Sequence, residues 1–251
     1  GLQPLDEIVT GWRDGELVII AARPSHGKTA FALNLSFNAA TRGTPVLFFS
    51  AEMSREEVTG RLTSIANDVS WHSIRSNFNL KGEREKLVRA SEMLKRSKLF
   101  VDDTPGLTVW ELRNKTRRHV RKQGPSLVLV DYLQLLEHGG RFEKRYLEMA
   151  AISRSLKCLA REVACPVVAC CQLSREADQE KDPYAKLRYL RESGSIEQDA
   201  DVVIILAGCS PEEAEARRAK KNTAIRLSLI HISEPPRLLS ISYAVFCLKK
   251  K

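Results

Sequence analysis

The run Ala22-Arg23-Pro24-Ser25-His26-Gly27-Lys28-Thr29 follows six apolar residues, Leu17–Ala22, and opens an amphipathic stretch, Lys28–Thr41. Few sequence features restrict a fold so tightly. A buried strand must end, turn sharply and start a helix at the Gly-Lys-Thr step. This is the form of a phosphate-binding loop, G-x-x-x-x-G-K-[ST], with Ala22 in place of the first glycine. Gly27 lets backbone N–H groups turn toward an anion, and the helix N-terminus adds its dipole. The Lys28 ammonium suits β- and γ-phosphates, and the Thr29 hydroxyl suits Mg²⁺.

The rest of the chain extends this unit. Val46–Ser50, Leu99–Asp102, Leu127–Asp131, Val167–Cys171 and Val202–Leu206 are apolar throughout rather than alternating, as strands covered on both faces must be. Helical patterns lie between them, over Lys28–Thr41, Ser54–Asp68, Gly82–Lys95, Thr108–Gln123 and Lys144–Val163. The alternation predicts an α/β domain, a mostly parallel twisted sheet with helices on both faces. This domain is expected over residues 1–226. From Leu227 to Lys251 the text loses its period, carries Pro-Pro and ends in three lysines. That stretch reads as a non-native tail from sequence read-through, against a genuine C-terminal hairpin.

Composition narrows the class. Hydrophobic residues make up 43% of the chain and charged residues 28%. That usage excludes a disordered chain. The net charge of +9 suits a polyanion, although many basic enzymes share it. No apolar run has the ~18–20 residues a membrane span needs, and no leader is visible, so a cytoplasmic protein without membrane contact is expected. The chain starts at Gly1, which reads as a fragment. The six cysteines show no C-x-x-C spacing, and Cys165, Cys170 and Cys171, which flank an apolar strand, are expected to be small core residues.

Further residues carry candidate chemistry. Asp131 ends an apolar strand, the form in which a carboxylate holds Mg²⁺ beside a phosphate loop. Glu52 follows the strand Val46–Ser50 and is placed to orient or deprotonate an attacking water. Ser54 and Glu57 form a separate capping box, so the cap does not account for Glu52. Gln172 follows the strand Val167–Cys171, where an amide can bond a γ-phosphate or the water. Arg188–Asp201 combines Arg191, Ser193, Gly194 and Ser195, a set suited to phosphate contacts and equally to a solvated loop. Arg113, Lys115, Arg117, Arg118, Arg121 and Lys122 form a basic run, fit to line a nucleic-acid path or to be a solvated helix face.

Taken together, AARPSHGKTAFALN, FFSAEMS, DDTPGLTVWELR, LVLVDYLQL, AISRSLK, QLSR and RESGSIEQDAD resemble the RecA-like motor domain of hexameric replicative DNA helicases of the DnaB family. The resemblance runs from Gly1 to about Arg226. It implies an ATP-driven motor that moves 5′→3′ on single-stranded DNA, with Arg23, Ser25, His26, Gly27, Lys28, Thr29 and Ala30 around ATP. It further implies Mg²⁺ at Thr29 and Asp131, catalytic roles for Glu52, Asp131 and Gln172, and single-strand backbone contacts by Arg191, Glu192 and Gly194. A homo-hexamer, a primase and a helicase loader are the implied partners. Two family features are not found in this sequence: the N-terminal helical domain with its linker helix, and the K-x-R-N-G-like finger run, whose spacing Lys221 and Arg226 do not match. A RecA-like recombinase or regulatory ATPase, and a single-strand-binding module with an impaired site, are the alternative readings.

Overall fold

Six runs that are apolar throughout need cover on both faces, and the computed structural model of the chain provides it. The structure describes residues 5, 9–67, 69, 71–76, 84–174, 190, 194–208, 223–231 and 242–248. The strands are β1 (Leu17–Ala22), β2 (Val46–Ser50), β3 (Leu99–Asp102), β4 (Leu127–Asp131), β5 (Val167–Gln172), β6 (Val202–Gly208), β7 (Thr223–His231) and β8 (Ser242–Leu248). They form one sheet in the order β3-β2-β4-β5-β1-β6-β7-β8. β1 to β6 are mutually parallel, whereas β7 and β8 run antiparallel beyond β6. The nine residues of β7 lie on both sides of Arg226.

The helices are α1 (Lys28–Thr41), α2 (Arg55–Asn67), α3 (Trp71–Ser76), α4 (Arg84–Arg96), α5 (Val109–Gln123), α6 (Arg145–Val163) and α7 (Gly194–Asp199). The short helices α3 and α7 have no counterpart in the sequence reading. Successive strand residues point to opposite faces. Val18, Ile20, Phe48, Leu129, Val168 and Ile204 pack with Phe31 and Leu35 of α1 and with Val58 and Leu62 of α2. Ile19, Phe49, Val130, Ala169, Val203 and Ile205 pack with Leu112 of α5 and with Ile152 and Leu156 of α6. Both faces of the inner strands are covered, which explains why they show no alternation; the edge strand β3 departs from that expectation, with Phe100 38% exposed.

Local chemistry sets the helix starts. Thr108 caps α5 in a reciprocal pair with Glu111. The Thr108 hydroxyl accepts from the Glu111 N–H at 3.2 Å. The Glu111 carboxylate accepts from the Thr108 N–H at 3.1 Å. Ser54 caps α2, its hydroxyl accepting from the Glu57 N–H at 3.3 Å. Gly60 has another reason to be glycine: a Cβ there would stand 1.9 Å from the Trp71 ring, so only a bare Cα lets α2 and α3 meet this closely.

At the edge of the sheet remote from the phosphate loop, the Asp201 carboxylate accepts from the Leu17 N–H at 2.7 Å and pairs with Lys157 at 2.5 Å. Lys157 also donates to the Gly15 carbonyl at 3.0 Å. These bonds tie α6 to the starts of β1 and β6. Removing one partner of such a shielded pair leaves an uncompensated charge, a loss of about 3 kcal/mol or more. Lys157→Met is therefore expected to lower stability by about that amount in urea unfolding, and Asp201→Asn added to it to restore part of the loss. Equal stability of wild type and the single variant would show that the pair contributes nothing.

Candidate functional site

Strand ends build the site. In the loop after β1, Ser25 (φ 64°) and Gly27 (φ 83°) both adopt the left-handed region. Gly27 takes it without a Cβ clash, and its carbonyl accepts from the Phe31 N–H at 2.8 Å, which starts α1. His26 turns back on the loop, with its N–H bonded to the Arg23 carbonyl at 3.2 Å and its ring Nδ1 3.0 Å from the Pro24 carbonyl. Arg23 reaches the Leu173 carbonyl at 3.5 Å, linking the loop to the end of β5. Thr29 and Ala30 stand in the first turn of α1.

Lys28 projects across the ends of neighbouring strands. Its ammonium lies 3.5 Å from Asp131 Oδ1 and 3.6 Å from the centroid of the Tyr132 ring. Asp131 is 1% exposed, and its Oδ1 accepts no hydrogen bond. A carboxylate buried so deeply is costly unless that ammonium or another cation stays near it. An oxygen that accepts no hydrogen bond, next to the ammonium of the phosphate loop, fits a hard divalent cation, which takes oxygen ligands.

Parallel register carries the other residues to the same rim. Ser50 pairs with Asp131, and Ala22 with Gln172. The Ala51 N–H donates to the Asp131 carbonyl at 2.8 Å, continuing β2 toward Glu52. Glu52 is exposed. The Tyr132 phenol is held above its ordinary value, first by burial and then by the negative charges of Glu52 and Asp131. Directly inside the rim, burial above all, with the Asp131 charge, pushes the Cys170 thiol well up, so it stays neutral. Cys165, Cys170 and Cys171 are buried as expected, but Cys158 is exposed, because α6 turns that position outward.

Gln172 is exposed at the end of β5, and its backbone is clasped by a residue the sequence reading passed over. Gln134 Nε2 donates to the Gln172 carbonyl at 3.1 Å, and Gln134 Oε1 accepts from the Gln172 N–H at 3.2 Å. Tyr132 and Gln134 both stand in LVLVDYLQL, a stretch already singled out for Asp131. Nothing local, however, distinguishes them from ordinary loop residues.

The basic run on α5 is partly neutralised. Arg113 and Arg117 both pair with Glu162 of α6, the former at 2.6 Å. Lys115 donates to Asp102 at 2.7 Å and to Thr104 at 2.5 Å. Burial pushes the Asp102 carboxyl up, but Lys115 and Thr104 outweigh it and hold the group below its ordinary value. Arg118, Arg121 and Lys122 remain exposed. Of the proposed DNA contacts, Arg191 and Glu192 lie outside the described residues, and Gly194 opens α7. Among the described residues no cluster of three or more His, Cys, Asp or Glu converges, and no helix is long and apolar enough to cross a membrane.

Comparison with known proteins gives a consistent set. A family model described as the DnaB-like helicase C-terminal domain matches residues 1–231. The replicative DNA helicase DnaC of Bacillus subtilis is 42% identical over 208 residues, covering 82% of this chain and 46% of the relative. A replicative DNA helicase DnaB of Leifsonia xyli is 37% identical over 244 residues, 97% of this chain and 53% of the relative. The chain thus spans about half the length of these curated relatives. Among solved structures, an isolated ATPase domain superposes with a TM-score of 0.84 at 32% identity, covering 98% of this chain and 85% of that one. A DnaB-like replicative helicase, studied with its primase interactions, superposes at 0.83 and 33% identity, covering 98% of this chain and 58% of that one.

The position of Lys28 generates a direct expectation. Lys28→Ala should weaken ATP binding by ~2–4 kcal/mol, the scale of a lost charge-assisted contact, and leave the circular dichroism spectrum unchanged. Wild-type affinity by titration calorimetry would remove Lys28 from the nucleotide site.

Proposed function

The chain belongs to the DnaB-like helicase C-terminal domain family, and on that premise we propose that it is the ATP-driven motor domain of a replicative DNA helicase. In this reading it moves 5′→3′ on single-stranded DNA and unwinds duplex ahead of it. It works as a homo-hexamer alongside a primase and a loader, with the motor domain over residues 1–226. The observation that carries the reading is the rim itself: a lysine from the phosphate loop against a buried aspartate, with Glu52 and Gln172 on adjoining strand ends.

The chemistry follows from those positions. The triphosphate of ATP seats at the N-terminus of α1, where the loop amides and the helix dipole favour anions. Lys28 then exchanges the Asp131 carboxylate for phosphate oxygens. Thr29 and Asp131 would hold Mg²⁺, which when bound neutralises charge on the phosphates. Glu52 accepts the proton of the attacking water. Gln172, a neutral amide, bonds the γ-phosphate and registers its loss. Arg191, Glu192 and Gly194 hold the single-stranded DNA backbone in this reading, and loss of the γ-phosphate at Gln172 changes that grip.

Two outcomes test this. Glu52→Gln is expected to keep ATP affinity while slowing hydrolysis by ~10²-fold or more in the full-length protein, whereas Glu57→Gln, in the first turn of α2, should leave turnover unchanged. Equal turnover of the two variants would remove Glu52 as the base.

Arg191→Ala is expected to weaken single-strand binding uniformly across DNA sequences, with ATP affinity unchanged. The slope of log affinity against log salt should fall by about 0.7, the value for one lost phosphate contact. An unchanged slope would show that Arg191 only props its own loop.

A further inference from the structure

The ladder between β4 and β5 ends early. Its last pair is Val130 with Ala169, yet β5 continues to Gln172. On the other side β1 keeps pace, pairing Ala22 with Gln172. The end of β5 therefore loses its β4 neighbour at the point where Gln172 must be held. The Gln134 side chain fills that place. Its carboxamide takes both the N–H and the C=O of Gln172, at 3.2 and 3.1 Å, as the backbone of a neighbouring strand would. The same Nε2 lies 3.2 Å from Cys171 Sγ.

Gln134 is itself held from behind. Arg145, the first residue of α6, donates from Nη2 to the Gln134 carbonyl at 2.6 Å and pairs with Glu148. The Glu148 carboxylate in turn accepts from the His138 N–H at 3.2 Å. The Gln134 backbone is thus tied to the N-terminus of the long helix that packs under the sheet. A side chain spent on satisfying one backbone amide pair fixes the φ/ψ of Gln172, and so the direction in which its own side chain leaves the strand.

We infer that Gln134 is a positioning residue for the nucleotide site: it acts through Gln172, setting that side chain toward the γ-phosphate and tying it to α6. The inference rests on the reading of Gln172 as the γ-phosphate contact. Gln134 itself touches no phosphate, so nucleotides without a γ-phosphate should not sense it.

The test compares ADP with a non-hydrolysable ATP analogue, using fluorescent nucleotide titrations on the full chain. The readout is the ratio of their dissociation constants, which a merely structural role would not move. Gln134→Met keeps the length of the side chain and removes both hydrogen bonds. It is expected to leave ADP affinity within about twofold and to cut the preference for the analogue by about fivefold, the scale of one ordinary hydrogen bond. Gln172→Ala should cut the preference at least as far, and the double variant should lose no more than Gln172→Ala alone. Gln134→Glu keeps the acceptor and loses the donor. It should give an intermediate loss, and it supplies the comparison should Gln134→Met fold poorly. If Gln172→Ala lowers the preference and neither Gln134 variant does, Gln134 is not a positioning residue. If Gln172→Ala leaves the preference intact, the reading of Gln172 fails and the inference falls with it.

Discussion

Lys28 and Asp131 come from distant parts of the chain and meet 3.5 Å apart at a rim where the carboxylate is almost wholly shielded from water. An isolated carboxylate there would cost several kcal/mol to keep ionised. The lysine offsets that cost, and the face of Tyr132 adds a second favourable contact for the ammonium. The pair also sets a condition on any ligand. A polyanion that draws Lys28 away leaves Asp131 uncompensated unless a cation arrives with it. A magnesium nucleotide meets both demands at once, and a bare phosphate meets one. The rest of the structure serves this geometry, because β1 and β4 can present their ends together only with β5 threaded between them.

How much of this was legible depended on distance in the sequence. The strand–turn–helix at Ala22–Thr29 is local, and so are the apolar runs and the Ser54 cap, so all could be read directly. Asp131, Glu52 and Gln172 could be named because each sits at the end of a readable strand. Gln134 and Tyr132 could not, because their importance depends on which strands are neighbours. β4 lies beside β5, and β5 beside β1, an order that no local pattern encodes. The basic run on α5 shows the opposite failure. Its charge looked free because its partners, Glu162 and Asp102, stand on other elements, and folding spends Arg113, Arg117 and Lys115 on packing α5 against α6 and β3.

The helix α6 is the element that joins these regions. It runs for nineteen residues, from one rim of the sheet to the other. Arg145 at its start touches the Gln134 carbonyl at the rim proposed to hold the nucleotide. Lys157, three turns on, grips Asp201 and the Gly15 carbonyl at the opposite edge. Between them Arg154 pairs with Asp199 of α7 at 3.1 Å.

These anchors act together. Lys157 and Asp201 are shielded from solvent, so breaking their pair costs about 3 kcal/mol or more. The Arg154 side chain is 73% exposed, but its partner Asp199 is only 6% exposed, and Ile196 of α7 packs in the same core as Ile152 and Leu156 of α6. α6 is therefore fixed along its whole length, to the Gln134 carbonyl at its start, to α7 through both an ion pair and apolar packing, and to the starts of β1 and β6 through Lys157. The place of Gln134 is thus set by the packing of the long helix and not by its own short loop alone.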